Sequence, residues 1–381
     1  MAASEPIPSK MRAQLLPAFN APYALSTVPV PSFSSPHDIL IRVLAASYCH
    51  TDHVLASGQM PPFPPSFPHV SCHEFSGVIV SFPPDSKSRF KIGDRVGVPG
   101  RSFHPCGVCF ECADSPETAE EDGEGYSVYC TKALNNGISR DGGFMEYAVV
   151  DSRQVAPVPD TMSAVDAATL MCAGVTIYGA LKKCGLKSGQ RVGIVGAGGG
   201  LGHLGVQFAE RMGLRVTGVD AADGPLALAR QVVRDAMQTK IVDARVVEAK
   251  DVVTQVGEED GKRDREDMGL DAVIILPESQ KAFDYGVELL RRHGKCVVVS
   301  FPEHGFHFSA RDVVFRDISI LGSLVASNKV LREMIQFAAD HHVKASVRTF
   351  PLSKLNDLVD EYLKGQGGKL VVDMTLQDGD I

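Results

Sequence analysis

One stretch narrows the fold more than any other: RVGIVGAGGGLGHLGVQFAERMG, residues 191–213, an apolar run that breaks on glycines and resumes as an amphipathic pattern. A strand that turns through glycines into a helix directs free backbone N–H groups outward at the positive end of the helix dipole. Without Cβ atoms, the glycines let an anionic group such as a pyrophosphate approach the backbone. The acidic Asp220 closes the next apolar strand, LRVTGVD, 18 positions after Gly202. An aspartate there accepts hydrogen bonds from a ribose diol and repels a 2′-phosphate, which favours NAD over NADP. The run Gly196, Gly198, Gly199, Gly200, Leu201, Gly202 is one residue longer than the simplest G-x-G-x-x-G spacing. The bland alternative is a tight turn with no ligand, but strand, helix and acid follow in the right order and favour dinucleotide binding.

The surrounding sequence extends the pattern. LDAVIIL, ESQKAFDYGVELLRRHG and KCVVVSF repeat the alternation of short apolar strand and amphipathic helix, as a parallel sheet covered on both faces requires. Upstream, from about 10 to 160, ILIRVLAASY, FSGVIVSF, DRVGVPG and FMEYAVVDSRQVAPV are short runs cut by turn residues, the mark of a β-rich domain. KVLREMIQFAADHH and LSKLNDLVDEYLKGQ read as two further helices, followed by a strand KLVVDM. At 381 residues the chain is long enough for two domains. Boundaries are expected at 1–168, 169–323 and 324–381, the last segment returning to the first domain. Two charged stretches, CADSPETAEEDGEGY and GEEDGKRDRED, lack hydrophobic periodicity and read as solvated loops.

With 38 Lys plus Arg against 46 acids and a net charge of −8, no basic domain is available to neutralise a phosphate backbone, so nucleic acid is not an expected partner. The opening MAASEPIPSKMRAQLL does not have the form of a secretory signal, and no apolar run is read as long enough to span a membrane. A cytoplasmic protein is expected. Its nine cysteines then point to metal rather than to disulfides.

CGVCFEC places Cys106, Cys109 and Cys112 at two-residue intervals, and Cys130 is the nearest fourth thiol. Such a set suits a closed structural zinc site, with Asp114 or His104 as alternative fourth ligands. A second, dispersed set is Cys49 of SYCHTDHV, His73 of SCHEFSG and Cys172 of LMCAGVT. Each has a plain reading as a core thiol or an ordinary histidine, and spacing alone does not bring them together.

In combination, YCHTDH, CHEFSGVI, KIGDRVG, the cysteine loop, CAGVTIYGAL, GAGGGLGHLGVQFA and GKLVVD resemble, in order and over nearly the whole chain, the zinc-dependent alcohol dehydrogenases of the medium-chain dehydrogenase/reductase superfamily. The resemblance implies an α/β chain: a β-rich GroES-like catalytic domain plus a Rossmann doubly wound parallel-sheet cofactor domain. It implies an oxidoreductase that moves hydride between an alcohol and NAD, with Cys49, His73 and Cys172 as catalytic zinc ligands. Zinc would act as a Lewis acid on the alcohol oxygen. Thr51 matches the hydroxyl that takes the substrate proton, Asp52 the carboxylate that orients the zinc histidine, and Glu74 a carboxylate near the metal. His50 and Lys369 match basic contacts to the cofactor phosphates, and Thr176 lies near the nicotinamide. A homodimer or homotetramer is implied, with the strand around ISILGSLV as a pairing edge and a small-molecule alcohol or aldehyde as substrate.

The chain also departs from the family pattern. Val54 stands where a proton-relay histidine is usual, and His53 is one residue earlier. Cys72 replaces the glycine before the zinc histidine, and Lys369 replaces arginine. Two other readings compete: a reductase of larger aromatic or specialised-metabolite aldehydes, suggested by Met60 in place of a bulky aromatic, and a non-catalytic nucleotide-binding redox sensor or interaction protein.

Overall fold

The structure, a computed structural model, describes residues 6–100, 103–113 and 128–377. A hairpin of β1 (Lys10–Leu15) and β2 (Ala24–Pro29) precedes β3 (Asp38–Tyr48), helix α1 (His50–Ala56), β4 (Glu74–Ser81), β5 (Arg95–Pro99), the single turn α2 (Phe110–Ala113), β6 (Tyr147–Asp151) and β7 (Ala156–Pro157). Next come α3 (Ala164–Thr169), a π-helical segment at Leu170–Gly174, and α4 (Val175–Cys184). Strand and helix then alternate through β8 (Arg191–Val195), α5 (Gly202–Arg211), β9 (Arg215–Asp220), α6 (Asp223–Val232), β10 (Thr239–Asp243), α7 (Ala249–Glu259), β11 (Leu270–Ile275), α8 (Gln280–Leu289), β12 (Leu290–Val298), α9 (Ala310–Arg316) and β13 (Ser319–Gly322). The chain closes with α10 (Asn328–His341), β14 (Val347–Phe350), α11 (Leu355–Leu363) and β15 (Lys369–Asp373).

Six parallel strands lie in the order β10-β9-β8-β11-β12-β13, the doubly wound arrangement whose crossover point lies between β8 and β11. Every residue of β8 is buried, which is why the strand runs apolar from Val192 to Val195 rather than alternating, with only Arg191 at its start paired to acids. The second large sheet runs β14-β15-β3-β4-β5-β7, with β6 also on β3. Its registers Leu370↔Tyr48 and Ala46↔Phe75 bring the end of β3, the start of β4 and the start of β15 together. Ser47, Glu74 and Lys369 meet there. Helix α10 packs against α4 and puts Leu331, Met334 and Ile335 into the core cluster that also holds Ile194 and Phe208. The chain joins the β3 sheet only afterwards, through β14 and β15.

Three readings of the sequence need correction. The helix read over ESQKAFDYGVELLRRHG stops at Leu289, because Leu290 already pairs with Leu270 and Arg291 bonds Asp271, so sheet pairing overrides helical propensity. GEEDGKRDRED is only partly a loop: Glu259 closes α7, and Glu259 and Asp260 bond Arg191 and Arg215 at the bottom of the parallel sheet. The run Ala164–Cys184 is long and apolar enough to cross a bilayer, yet 78% of an 18-residue stretch within it is buried inside the protein, so it is a core helix. Most of the acidic stretch before Cys130 lies outside the described residues.

Candidate active site and metal centres

The dispersed set is drawn together at the end of the β3 sheet. Cys49 caps α1 in an extended conformation, and Asp52, three residues on, returns its carboxylate to the Cys49 N–H at 2.9 Å. This local capping box does more than end a helix. The other oxygen of Asp52 accepts from the Cys72 N–H at 3.0 Å and lies 3.5 Å from His73 Nδ1. One fully buried carboxylate therefore holds Cys49, Cys72 and His73 in one frame. Cys172 comes from the π-helical segment, whose extra residue per turn shifts the side chains between α3 and α4. Cys49 Sγ, one His73 ring nitrogen and Cys172 Sγ all lie within 4.8 Å of one another, and His73 Nε2 is 3.3 Å from Cys172 Sγ.

The electrostatics suit a cation. The Cys172 thiol, bonded to Cys49, holds Cys49 well below the usual thiol range, and that same bond followed by burial drives Cys172 above it. Burial disfavours a charged His73, but the charges of Asp52 and Cys49 outweigh it and hold the imidazole above its ordinary range. Two sulfurs and one nitrogen, with no fourth ligand grouped with them among the described residues, match the donor set of a zinc site with an open position.

Behind this cluster, Glu74 accepts from Ser47 Oγ at 2.9 Å and from the buried Lys369 ammonium. Burial pushes Glu74 up to about 7 against the pull of Lys369. Expected as a cation facing the cofactor phosphates, Lys369 instead turns its ammonium inward onto Glu74 and the Tyr48 carbonyl, 3.0 Å away. A buried carboxylate without a partner would be costly. Burial works against the Lys369 charge, yet Glu74 and Cys49 hold its pKa above the ordinary value.

Thr51 Oγ1 lies 3.9 Å from Cys49 Sγ, and Thr176 is buried in the first turn of α4. His50 Nδ1 is 2.7 Å from the Tyr362 hydroxyl, while its Nε2 lies 3.9 Å from Glu278 on the parallel-sheet side. His53 packs its ring 5.6 Å from that of Tyr362, and burial followed by the neighbouring His50 lowers its pKa. Cys72 adopts φ +82°, a conformation natural to glycine, and its fully buried thiol donates to the Ser47 and Glu74 carbonyls. It is a packed thiol, raised by burial first and by the charge of Asp52 next.

The second cluster is local. Cys106, Cys109, Cys112 and Cys130 bring their sulfurs within 4.8 Å of one another, with Cys130 Sγ 3.8 Å from Cys106 Sγ. The Val108 and Cys109 backbone N–H groups and the neighbouring thiols hold Cys106 down to about 6 against burial, whereas burial pushes Cys112 up to about 12. His104, an alternative fourth ligand by sequence, is engaged elsewhere: its Nε2 is 2.6 Å from Asp38. Asp114 lies outside the described residues.

At the parallel sheet, the glycines divide by role. A Cβ on Gly198 would come within 1.8 Å of the Pro225 carbonyl and one on Gly202 within 2.0 Å of the Gly196 carbonyl, whereas one on Gly199 would meet nothing closer than 3.4 Å. The first two are required by packing. Gly199 and Gly200 leave the outer side of the turn open, where a ligand's phosphates can meet the backbone. Asp220 accepts from the N–H groups of Gly198 and Ala221, at 2.9 and 2.8 Å, and borders a cavity of about 290 Å³ with Gly196, Ala222, Arg245, Pro277 and Tyr285. Its position beside the glycine turn fits the adenosine half of a dinucleotide.

These sites agree with what the chain resembles as a whole. Residues 35–160 match the family model of the alcohol dehydrogenase GroES-like domain, and residues 200–340 that of the zinc-binding dehydrogenases. An alcohol dehydrogenase of Geobacillus stearothermophilus is 36% identical over 364 residues, covering 95% of this chain and 99% of the relative. The chain belongs to the zinc-dependent alcohol dehydrogenase family. Alcohol dehydrogenase 1 of Emericella nidulans is 32% identical, over 97% of this chain and 99% of its own. The crystal structure of the alcohol dehydrogenase from Aeropyrum pernix superposes with a TM-score of 0.78 at 29% identity, covering 95% of this chain and 99% of that one. As a zinc alcohol dehydrogenase, the protein moves hydride between an alcohol carbon and a nicotinamide dinucleotide, interconverting alcohols with aldehydes or ketones.

Sequence reasoning missed several residues of this alcohol dehydrogenase. Ser47 and Tyr362 support Glu74 and His50. Arg245, tied to Asp223 and Asp243, lines the cavity beside Asp220. Their neighbours in space are remote in sequence, and no spacing signals them.

Proposed function

We propose that this alcohol dehydrogenase prefers NAD, holds its catalytic zinc through Cys49, His73 and Cys172, and holds a structural zinc through Cys106, Cys109, Cys112 and Cys130. The observation that carries the reading is the convergence of two thiols and an imidazole from three separate elements on one point, with a buried carboxylate behind the histidine. Zinc, when bound there, supplies Lewis acidity towards the substrate oxygen. Thr51 relays the alcohol proton, accepting it at its hydroxyl oxygen while releasing its own proton towards the cofactor ribose. Asp52 fixes the orientation of His73, and Lys369 keeps Glu74 paired beside the ligands. The turn from Gly196 to Gly202 receives the pyrophosphate, His50 adds a donor across the cleft, and Thr176 stands beside the nicotinamide. Asp220 excludes a 2′-phosphate by charge.

Residues 1–168 and 324–381 form the catalytic part in this reading and 169–323 the cofactor part. β13 is an edge of the parallel sheet, next to the exposed Phe308, Val314 and Phe315. That supports pairing of two copies through this edge, giving a dimer or a tetramer. The nine cysteines are all free thiols, which suits the cytoplasm.

Native mass spectrometry on chelator-free protein, followed by turnover with NAD and NADP across small aliphatic and large aromatic alcohols, tests the reading. Two zincs per chain and faster turnover with NAD are expected. Reaction confined to aromatic substrates would select the reductase of larger aldehydes. NADH binding without turnover on any substrate would overturn the catalytic assignment in favour of a non-catalytic role.

A further inference from the structure

His203 sits on the first turn of α5 and is fully buried, yet neither metal cluster nor the dinucleotide cavity uses it. Both of its ring nitrogens are committed. Nδ1 lies 2.8 Å from the Gly199 carbonyl and so carries the proton, while Nε2 accepts the Ser346 N–H at 3.1 Å. The imidazole therefore has one neutral tautomer, set by a carbonyl on one side and an amide on the other.

What it joins is informative. Gly199 belongs to the open side of the glycine turn, and Ser346 immediately precedes β14 in the sheet of the other domain. The Ser346 carbonyl accepts the Lys369 N–H at 2.8 Å, and the Lys369 ammonium holds Glu74. One turn further along α5, Gln207 bonds both the carbonyl and the N–H of Lys344, at 2.8 and 3.2 Å. The contact is also close: a Cβ on Gly367 would fall 2.5 Å from the Gly198 carbonyl.

We propose that His203 is a positioning residue for the cofactor: it fastens the glycine turn to the C-terminal strands of the catalytic domain, so that the phosphate-facing backbone and the Glu74–Lys369 pair keep one spacing. This rests on the dinucleotide reading above and adds to it a link between the two domains.

The test is NADH binding by fluorescence to the zinc-loaded wild type, His203→Leu and His203→Asn, with amide exchange measured at Ser346. Leucine removes both bonds. Asparagine keeps a donor near Gly199 and loses the reach to Ser346. The expected result is NADH affinity weakened roughly tenfold for leucine and roughly threefold for asparagine, with faster exchange at Ser346 in both. Asparagine carries the test if the leucine variant does not fold. NADH affinity within about twofold of wild type in the folded variants, even with a lowered Tm, would overturn the proposal by making His203 a core residue only. Failure of the wild type itself to bind NADH would overturn this proposal together with the dinucleotide reading.

Discussion

The Cys106–Cys130 cluster takes three of its four sulfurs from the seven residues CGVCFEC, whereas Cys49, His73 and Cys172 come from a helix cap, the residue before a strand and a π-helical segment. The first is made by a loop that can fold around a metal with little help. The second exists only after two domains have packed, and it depends on residues that bind nothing themselves. A local cluster ties its own loop together, while a dispersed cluster reports on the tertiary structure around it.

Variants separate the two most sharply. Cys172→Ala is expected to lower kcat/KM by roughly a thousandfold through loss of Lewis-acid assistance. It should leave one zinc per chain and a nearly unchanged Tm; metal analysis beside steady-state kinetics checks this, and an active variant would break the comparison. Cys109→Ser should do the reverse, losing the other zinc and about 3 kcal/mol of stability, a Tm drop of roughly 6–12 °C by calorimetry, with activity falling only as the fold does.

The tertiary support has its own signature in pH. Burial holds His203 down to about 4, from 6.5 in a free side chain. A histidine kept neutral in this way contributes stability that is complete above pH 6.5 and is lost as pH falls through 4, on the order of 3 kcal/mol. Denaturant melts of His203→Asn against wild type should show a flatter profile in that window; parallel curves would contradict it.

Asp52→Asn tests the frame rather than the ligands. Zinc affinity at the Cys49 site or kcat is expected to fall between about tenfold and a hundredfold, while the four-cysteine site keeps its metal in the same titration. The smallest effect is expected at Cys72. Replacing it with glycine relieves φ +82° but removes a buried thiol, so stability should stay within about 1 kcal/mol of wild type. A β-branched Cys72→Val should lose several times more, and urea melts of the pair distinguish strain from packing.

Much of this was readable from the chain. The strand, glycine turn and helix at 191–211, with Asp220 closing β9, follow from hydrophobic period and turn chemistry, which act over neighbouring residues. The four-cysteine spacing is equally local. The boundary between α8 and β12 was not readable, because Leu290 is drawn into the sheet by Leu270 across the fold. Nor was the inward turn of Lys369, since its partner Glu74 arrives on a different strand.

The sequence by itself determined the order of elements, the candidate donors and the glycine turn, because those depend on side-chain type and short-range spacing. Only the tertiary structure decided that Asp52 serves Cys49, Cys72 and His73 at once, that His104 belongs to Asp38, and that His203 joins the glycine turn to Ser346. The physical reason is the same in each case. A buried polar group must find a partner of matching geometry, and which partner arrives is set by how distant strands and helices pack.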